Sequence, residues 1–351
     1  MSKWFRMCLA IPLVITCFVL MGNVTPTPAS AAEFILRMGN TSTYPAQPNW
    51  IMRKFQEHIH AATDRIRVDL FEGGSFGGPN EMAQGLQSGA IQAVLIPSGF
   101  YGIVAPAIGV ISIPGLFDNP MELLMVLNSD TPKLDAYLEQ QGMRAVAWFY
   151  QVRSDYLTLR PVHGVGDFAG MNIRTFASDI NQETKRAIGA NPILMSTSDL
   201  PMALQQGTVD GAYAGVSMMS AASFYDIADY LVVNLGAPLG SSVMFSSMFL
   251  ESLPPDLYEL VVETSRYLSI GYEAHNRHVD YVQRGYQIMR DNGVIFTYPC
   301  PEFYAAYLEA TAHIAGWFLE QHPFMQPVYD ELRTLVQRYR AGDLPSVLIA
   351  R

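Results

Sequence analysis

Hydrophobic and polar positions alternate along this chain with two different periods, which predict strands and helices in succession. A period of two predicts a strand over Arg65 to Phe71, because Ile66, Val68 and Leu70 point to the same side. Apolar residues three to four positions apart predict a helix over Trp50 to Ala62. Strands and helices that follow one another in this way are typical of an α/β protein with largely parallel sheets.

Several further strands and helices are predicted from the same pattern. Most of the predicted helices end at a glycine, which is a common helix stop signal. Another helix is expected to begin with a capping box formed by Asp179 and Gln182, and to end at Gly189. The remaining predicted strands and helices span 34–38, 80–88, 93–97, 134–141, 145–150 and 202–206.

A segment near the middle of the second half predicts an unusually long helix. Pro255 suits a first helical turn, no proline follows as far as Asn292, and Gly293 suits the end, which allows up to 38 residues. Globular helices typically run about 8–20 residues. This one therefore either bends, at Gly271 or Gly285, or crosses between two lobes. Two consecutive helices fit the pattern equally well.

The first segment, 1–32, is typical of a secretory signal peptide, with basic residues, an apolar run and then small residues. We expect cleavage near Ala31 or Ala32 and export to the periplasm. The alternative is a retained membrane anchor, but the apolar run over 7–22 has only 16 residues, against the roughly 20 that a membrane span needs.

Charge limits the classes of partner. The 351 residues include 22 basic and 32 acidic side chains, and loss of Lys3 and Arg6 with the signal would shift the formal net charge from −10 to −12. Nucleic acids and anionic membranes require a basic face, so neither is expected as a partner. A small-molecule ligand is compatible with this composition.

Catalytic and metal-binding motifs are weak. The sequence Gly73 to Gly77 matches the pattern G-x-S-x-G of a hydrolase nucleophile, but helical periodicity resumes only after Pro79 instead of directly after the serine. His58 and His60 face different sides of their helix and cannot easily share an ion. We expect no enzymatic activity, no cofactor and no metal site.

The most informative residue is Arg174, which lies in a predicted strand among apolar neighbours. A pair with an internal carboxylate is the ordinary alternative and is expected for Arg160. For Arg174 the nearest acids in sequence, Asp167 and Asp179, lie in turns that should face solvent. The planar guanidinium fork is suited to recognising a ligand carboxylate.

Three ordered motifs resemble one family of transport proteins. They are the approach and strand over 160–174, the sequence ALQQGTVDG over 203–211 followed by Phe-Tyr-Asp at 224–226, and the element over 73–89. Together they make the chain similar to the periplasmic substrate-binding subunits of tripartite ATP-independent periplasmic (TRAP) transporters, of the DctP type.

The resemblance implies an α/β fold with two lobes that close like a flytrap, and a long helix that spans both. It also implies TRAP membrane subunits as partners, and we expect a monomer. The expected segments are 33–150 with 240–280 in lobe I, and 151–239 with 281–351 in lobe II.

In the family, an arginine matching Arg174 pairs with the substrate carboxylate, and one matching Arg153 often assists. This chain departs from the family at Ala214, where an asparagine that reaches the ligand is common. The other candidate ligand-binding residues, aromatic or polar and expected near the cleft, are Phe176, Tyr213, Asn40, Glu81, Ser98, Phe100 and Tyr101.

The loss of that asparagine, with aromatic residues beside it, favours an apolar or aromatic monocarboxylate, or a keto acid, over a sugar acid. The alternative is that Tyr213 and Phe176 pack in the lobe core and never contact ligand. The expected function is thus capture of a small organic carboxylate for a TRAP transporter. A periplasmic subunit that presents its ligand-bound form to a receptor is the second possibility, and an exported hydrolase is disfavoured.

Overall fold

The computed structural model of the protein describes residues 32–42, 46–149, 153–175, 178–195, 199–238 and 240–344. The signal peptide expected before Ala32 lies outside this part of the chain, as does Phe176. None of the described helices is both long and apolar enough to cross a bilayer.

The strands are β1 Phe34–Gly39, β2 Ile66–Phe71, β3 Ala93–Pro97, β4 Met143–Phe149, β5 Asp155–Thr158, β6 Asn172–Thr175, β7 Asn191–Leu194, β8 Gly211–Ala214, β9 Tyr230–Val232, β10 Ser241–Ser246 and β11 Ile295–Thr297. The helices are α1 Gln47–Ala62, α2 Pro79–Gln87, α3 Pro120–Leu127, α4 Pro132–Gln140, α5 Asp179–Ala187, α6 Leu200–Gln205, α7 Val216–Ala221, α8 Ser247–Ser252, α9 Pro255–Ile270, α10 Tyr272–Asp291, α11 Pro301–Thr311, α12 Ile314–Gln321 and α13 Gln326–Arg340. Short 3-10 helices are Ser98–Ile103, Pro106–Ser112, Val165–Phe168, Phe224–Asp226 and Pro323–Met325.

The described strands form two sheets, and each sheet is the centre of one lobe. The first lobe is built on the order β2-β1-β3-β10-β4, and the second lobe on β11-β9-β5-β8-β6-β7. Strands β1, β2 and β3 are parallel, whereas β10 is antiparallel to both of its neighbours. The chain leaves the first sheet after β4, returns to it in β10 and leaves again before β11. The α/β architecture expected from the sequence is confirmed.

Each sheet is buried on both faces, which explains the continuous apolar runs in its strands. In β3, Val94 and Ile96 join one hydrophobic cluster, whereas Ala93 and Leu95 join the cluster on the opposite face. In the second lobe Leu157 and Tyr156 of β5 separate in the same way. Cores of this kind hold the carboxyl ends of the strands in fixed positions.

The long helix expected from the sequence is two consecutive helices, α9 and α10, so the single-helix expectation is wrong. The break is at Gly271, one of the two predicted bend positions, whose backbone is extended with φ −63° and ψ 148°. Helix α9 packs on β4 and α1, whereas α10 packs on α7 of the second lobe. The pair therefore spans both lobes, with the break between them.

The predicted capping box of α5 is also wrong. Ser178 precedes the helix in an extended conformation and Asp179 is already in the first turn, so no side-chain cap forms among the described residues. The predicted end is confirmed, because Gly189 has φ +84°, a region that favours glycine.

The predicted lobe boundaries stay a proposal, and the last helix argues for one change. Helix α13 packs against α3 and α4, beside the first sheet. Val328 and Leu332 share a hydrophobic cluster with Leu134 and Tyr137. On this packing, α13 would belong with the first lobe instead of the second.

Candidate ligand-binding site

The candidate residues collect where strands of both sheets end. Asn40 follows β1, Ser98 follows β3, and Arg174 lies near the carboxyl end of β6. Ligands of open α/β sheets bind outside the carboxyl ends of the strands. Half-buried Phe100 packs against hydrophobic clusters of both lobes, which places it where the two lobes meet.

Arg174 is almost completely buried, with 1% of its surface exposed. Its Nε donates to the carbonyl oxygen of Met195 at 3.2 Å, and its Nη1 to that of Tyr213 at 3.4 Å. Both acceptors are backbone carbonyl oxygens, and these two bonds orient the guanidinium. Burial lowers the pKa of Arg174 to about 10, which leaves it charged at neutral pH. Arg160, expected to pair with a carboxylate, is exposed and donates instead to backbone carbonyls.

Arg153 is buried and engaged by its own chain. Its Nη1 donates to the carbonyl oxygen of Asn234 at 3.0 Å, and its Nη2 donates to that of Asp118. Both nitrogens lie 3.1 Å from the Tyr304 hydroxyl, and the guanidinium sits 5.1 Å from the centre of that ring. These contacts join segments of both lobes. A direct role of Arg153 in ligand binding stays a prediction.

Tyr213 and Ala214 are both buried in the second lobe. The Tyr213 ring packs 4.9 Å from the ring of Tyr156, and burial raises its pKa to about 12. Ala214 pairs with Asp155 in the β5–β8 ladder and lies in the cluster on the other face of the sheet. This geometry fits the core-packing alternative for Tyr213, while its ligand contact stays a prediction.

Two polar candidates of the first lobe, Asn40 and Ser98, differ in their hydrogen bonding within the described chain. Asn40 is buried, and its Oδ1 accepts from the amide of Ser42 at 2.7 Å while its Nδ2 contacts the sulfur of Met52. Ser98 is buried as well, but its hydroxyl has no hydrogen-bond partner within the described chain. An unsatisfied hydroxyl at the end of a strand can accept or donate to a ligand.

Of two other candidates of the first lobe, Tyr101 is buried and Glu81 is exposed. Tyr101 is completely buried in the first core, and burial raises the pKa of its hydroxyl. Glu81 is exposed in the first turn of α2. Their contacts with a ligand stay predictions.

The sequence interpretation missed two buried ionisable groups near Tyr213. Lys185 of α5 has no exposed surface, and its Nζ lies 3.2 Å from the centre of the Tyr213 ring. Asp155 accepts from the amide of Asn234 at 2.8 Å and from the hydroxyl of Tyr286 at 3.0 Å. Burial raises the pKa of Asp155 to about 7.

The hydrolase motif lacks the turn that leads directly from the serine into a helix. Ser75 lies in a turn, and α2 begins four residues later at Pro79. No group of three or more potential metal ligands occurs within the described ranges. The second lobe offers a buried guanidinium near the carboxyl end of β6, which suits reversible binding of an anion.

Comparison with known proteins identifies the family. The sequence profile of the bacterial extracellular solute-binding proteins of family 7, DctP, matches residues 49–319. The chain belongs to this family. The identification made from the motifs around Arg174 is thus confirmed.

Relatives of this DctP-family protein match it over most of its length. The uncharacterized protein YiiZ of Salmonella typhimurium is 26% identical over 280 residues, 78% of this chain and 79% of its own. The C4-dicarboxylate-binding periplasmic protein DctP of Rhodobacter capsulatus is 24% identical over 313 residues, 87% of this chain and 88% of its own.

A solved structure has the same fold as this DctP-family chain. It is a TRAP periplasmic solute-binding protein from Roseobacter denitrificans with bound β-D-glucuronate, which superposes with a TM-score of 0.80 at 19% identity and covers 85% of this chain and 99% of its own. At this identity the likeness establishes the two-lobed fold alone.

Proposed function

We propose that this DctP-family protein binds a small organic acid in the cleft between its lobes, with Arg174 pairing with the ligand carboxylate. The observation that carries the proposal is the placement of a buried, charged guanidinium near the carboxyl end of β6, oriented by two neutral carbonyl oxygens. A carboxylate is the natural partner of such a fork, because it can accept two parallel hydrogen bonds.

The first lobe supplies the remaining contacts in this proposal. The Ser98 hydroxyl would bond to the ligand, and Phe100 would cover it from the side where the lobes meet. Relatives named for C4-dicarboxylates and a fold neighbour with β-D-glucuronate support an organic acid as the ligand class. Neither supports a preference for an apolar or aromatic body, which remains a prediction that rests on Ala214 in place of the family's asparagine, with Tyr213 and Phe176 beside it.

The proposed role is delivery of this acid to the membrane subunits of a TRAP transporter in the periplasm. Family membership and the periplasmic relatives support export, and a binding role needs no catalytic group. The receptor-linked alternative predicts the same ligand site and differs only in the partner. Copurification with detergent-solubilised TRAP membrane subunits would separate the two.

A thermal-shift screen tests the proposed ligand class. Succinate, D-glucuronate, phenylacetate, indole-3-acetate and 2-oxobutyrate would each be added to the purified protein, with the corresponding neutral amides as controls. A ligand present at 100 times its dissociation constant raises the free energy of unfolding by about 2.7 kcal/mol. We expect a shift with at least one acid and none with its amide. Equal shifts for acid and amide would contradict a carboxylate site.

A further inference from the structure

Helix α13 ends in a network of charged side chains close to the contact between the lobes. Arg340, its last residue, donates from Nε to one carboxylate oxygen of Glu122 at 2.7 Å and from Nη2 to the other at 3.0 Å. The same Nη2 lies 3.0 Å from a carboxylate oxygen of Asp118. Two parallel bonds to a carboxylate fix the orientation of a guanidinium. Arg340 therefore ties the end of α13 to the start of α3.

Glu122 is the buried member of this network, with 2% of its side chain exposed against 44% for Arg340 and 57% for Asp118. Its Oε2 also accepts from the backbone amide of Asp118. Asn119 caps the same turn, because its side chain accepts from the amide of Glu122 at 2.9 Å. Asp118 is thus held both through its amide and through its side chain.

Helix α13 presents Arg340 from a surface that is anchored in the first lobe. Val328, Leu332 and Val336 of this helix are buried in the hydrophobic cluster that also contains Leu134. The helix packs against α3, which begins with the residues that Arg340 contacts. The guanidinium is therefore held between two helices of the same lobe.

The position of Asp118 matters because its carbonyl oxygen accepts the bond from Arg153 of the second lobe. The Arg153 guanidinium also contacts the hydroxyl of Tyr304, which packs against a hydrophobic cluster of the second lobe. A continuous series of contacts thus runs from Arg340 through Asp118 to Arg153. A residue that fixes Asp118 also fixes the acceptor of this bond between the lobes.

The lobes, as the structure places them, shield the candidate ligand residues from solvent. Arg174 and Ser98 each have 1% of their surface exposed, and Phe100 packs against hydrophobic clusters of both lobes. A ligand beside Arg174 can therefore enter or leave only when the lobes separate. Contacts that hold the lobes together oppose that separation.

We propose that Arg340 is a positioning residue for ligand binding. It holds Asp118 where the carbonyl oxygen accepts from Arg153, and the bond between Arg153 and Asp118 delays opening of the lobes and release of the ligand. The proposal rests on the function proposed above, because it concerns release from the same cleft.

The effect falls on dissociation of the ligand and not on its association. Closure on ligand binding implies that the free protein is mostly open, so the bond between Arg153 and Asp118 forms after the ligand has entered. Weakening this bond leaves the association rate constant unchanged and increases the dissociation rate constant. Loss of one hydrogen bond corresponds to a change of about three- to tenfold.

The experiment compares Arg340→Met, Arg153→Met and the double variant with the wild type, each as the full mature protein. Methionine keeps an apolar side chain and removes the guanidinium. Arg338→Met, at an exposed position of the same helix, is the matched control. Stopped-flow fluorescence measures association and dissociation rate constants for each of the five acids of the thermal-shift screen that the wild type binds.

We expect Arg340→Met to release the ligand about three- to tenfold faster than the wild type, with an unchanged association rate constant. The unchanged constant also shows that the variant is folded, because an unfolded fraction would lower it. In the Arg153→Met protein, Arg340→Met should have no further effect on release, since the bond that it supports is already absent. Arg338→Met should behave as the wild type does.

Urea unfolding of the same proteins tests the link between Arg340 and Arg153 without ligand. The double variant should lose less free energy of unfolding than the sum of the two single losses, because both substitutions act on the same carbonyl oxygen. Additive losses would overturn the link, even where Arg153→Met prevents ligand binding.

The kinetic outcomes separate this proposal from the function proposed for the protein. Wild-type dissociation of a bound acid from Arg340→Met would overturn the role of Arg340 and leave the ligand site intact. Failure of the wild-type protein to bind any of the five acids would overturn both.

Discussion

Arg153 donates a hydrogen bond from Nη2 to the backbone carbonyl oxygen of Asp118, and this contact links the two lobes. Asp118 precedes α3 in the first lobe, whereas Arg153 lies just before β5 of the second. The same guanidinium also donates to the carbonyl oxygen of Asn234, on the segment that returns to the first sheet. The Arg153 side chain, on the segment between β4 and β5, therefore bonds both to the first lobe and to the segment between β9 and β10.

Arg153→Ala should reduce stability more than it reduces ligand affinity. The substitution leaves the carbonyl oxygens of Asp118 and Asn234 without their donor, and an unsatisfied buried acceptor costs about 1–3 kcal/mol. Urea unfolding measures the first effect and calorimetry the second. Unchanged stability with lost binding would instead assign the Arg153 guanidinium to the ligand.

Asp155 should make stability depend on pH near neutrality. Its pKa is about 7 in the folded protein against an ordinary 3.8, so between these values the folded state holds a proton that the unfolded state releases. This stabilising contribution is complete below 3.8 and is lost as the pH rises through about 7.

Asp155→Asn should flatten that pH dependence and raise the free energy of unfolding at pH 8, by on the order of 2 kcal/mol. The asparagine side-chain oxygen can still accept from the Asn234 amide or the Tyr286 hydroxyl. Denaturant unfolding at several pH values between about 5 and 8 measures the difference. Parallel curves for the two proteins would show that Asp155 does not titrate in this range.

The break between α9 and α10 should require glycine at position 271. A Cβ at Gly271 would clash with the backbone oxygen of Tyr267, so Gly271→Ala forces the backbone to shift. Overpacking of this kind costs about 1–3 kcal/mol. Gly316→Ala is the matched control, because no atom lies within 4 Å of its added Cβ. Equal stability of the two variants would contradict the structural role of Gly271.

Ligand binding should close the two lobes. Arg174 lies in the second lobe, so a bound acid gains further contacts only when Ser98 and Phe100 of the first lobe approach it. Small-angle scattering should then give a smaller radius of gyration with saturating ligand. Superimposable curves with and without ligand would argue against closure.

The spacing of apolar residues predicted those strands and helices whose own sequence shows which positions are buried. Strand β3 matches its predicted bounds because every position from Ala93 to Ile96 is apolar and both faces of the sheet are covered. The sequence did not decide whether α9 and α10 are one helix or two, because glycine at position 271 permits both a continuous helix and an extended residue. The structure has the extended residue, with Gly271 at φ −63° and ψ 148°.

The candidate site was predictable only in part. Arg174 stood out because a charge in an apolar strand has no local explanation. Lys185 did not, because it follows Gln182 and Glu183 and precedes Arg186, so that part of α5 resembles a solvent-exposed face. Its burial depends on β8, which supplies Tyr213 from almost thirty residues further along the chain. Such contacts leave no periodic signal.

Calorimetric titration of Arg174→Lys with the acid that gives the largest thermal shift tests the central claim most directly. Lysine keeps the charge but cannot donate two parallel hydrogen bonds to a carboxylate. Affinity should fall by about 30-fold or more, whereas Arg160→Lys, on the exposed surface of the same lobe, should bind as the wild type does. Wild-type affinity in Arg174→Lys would contradict recognition of the ligand carboxylate by Arg174.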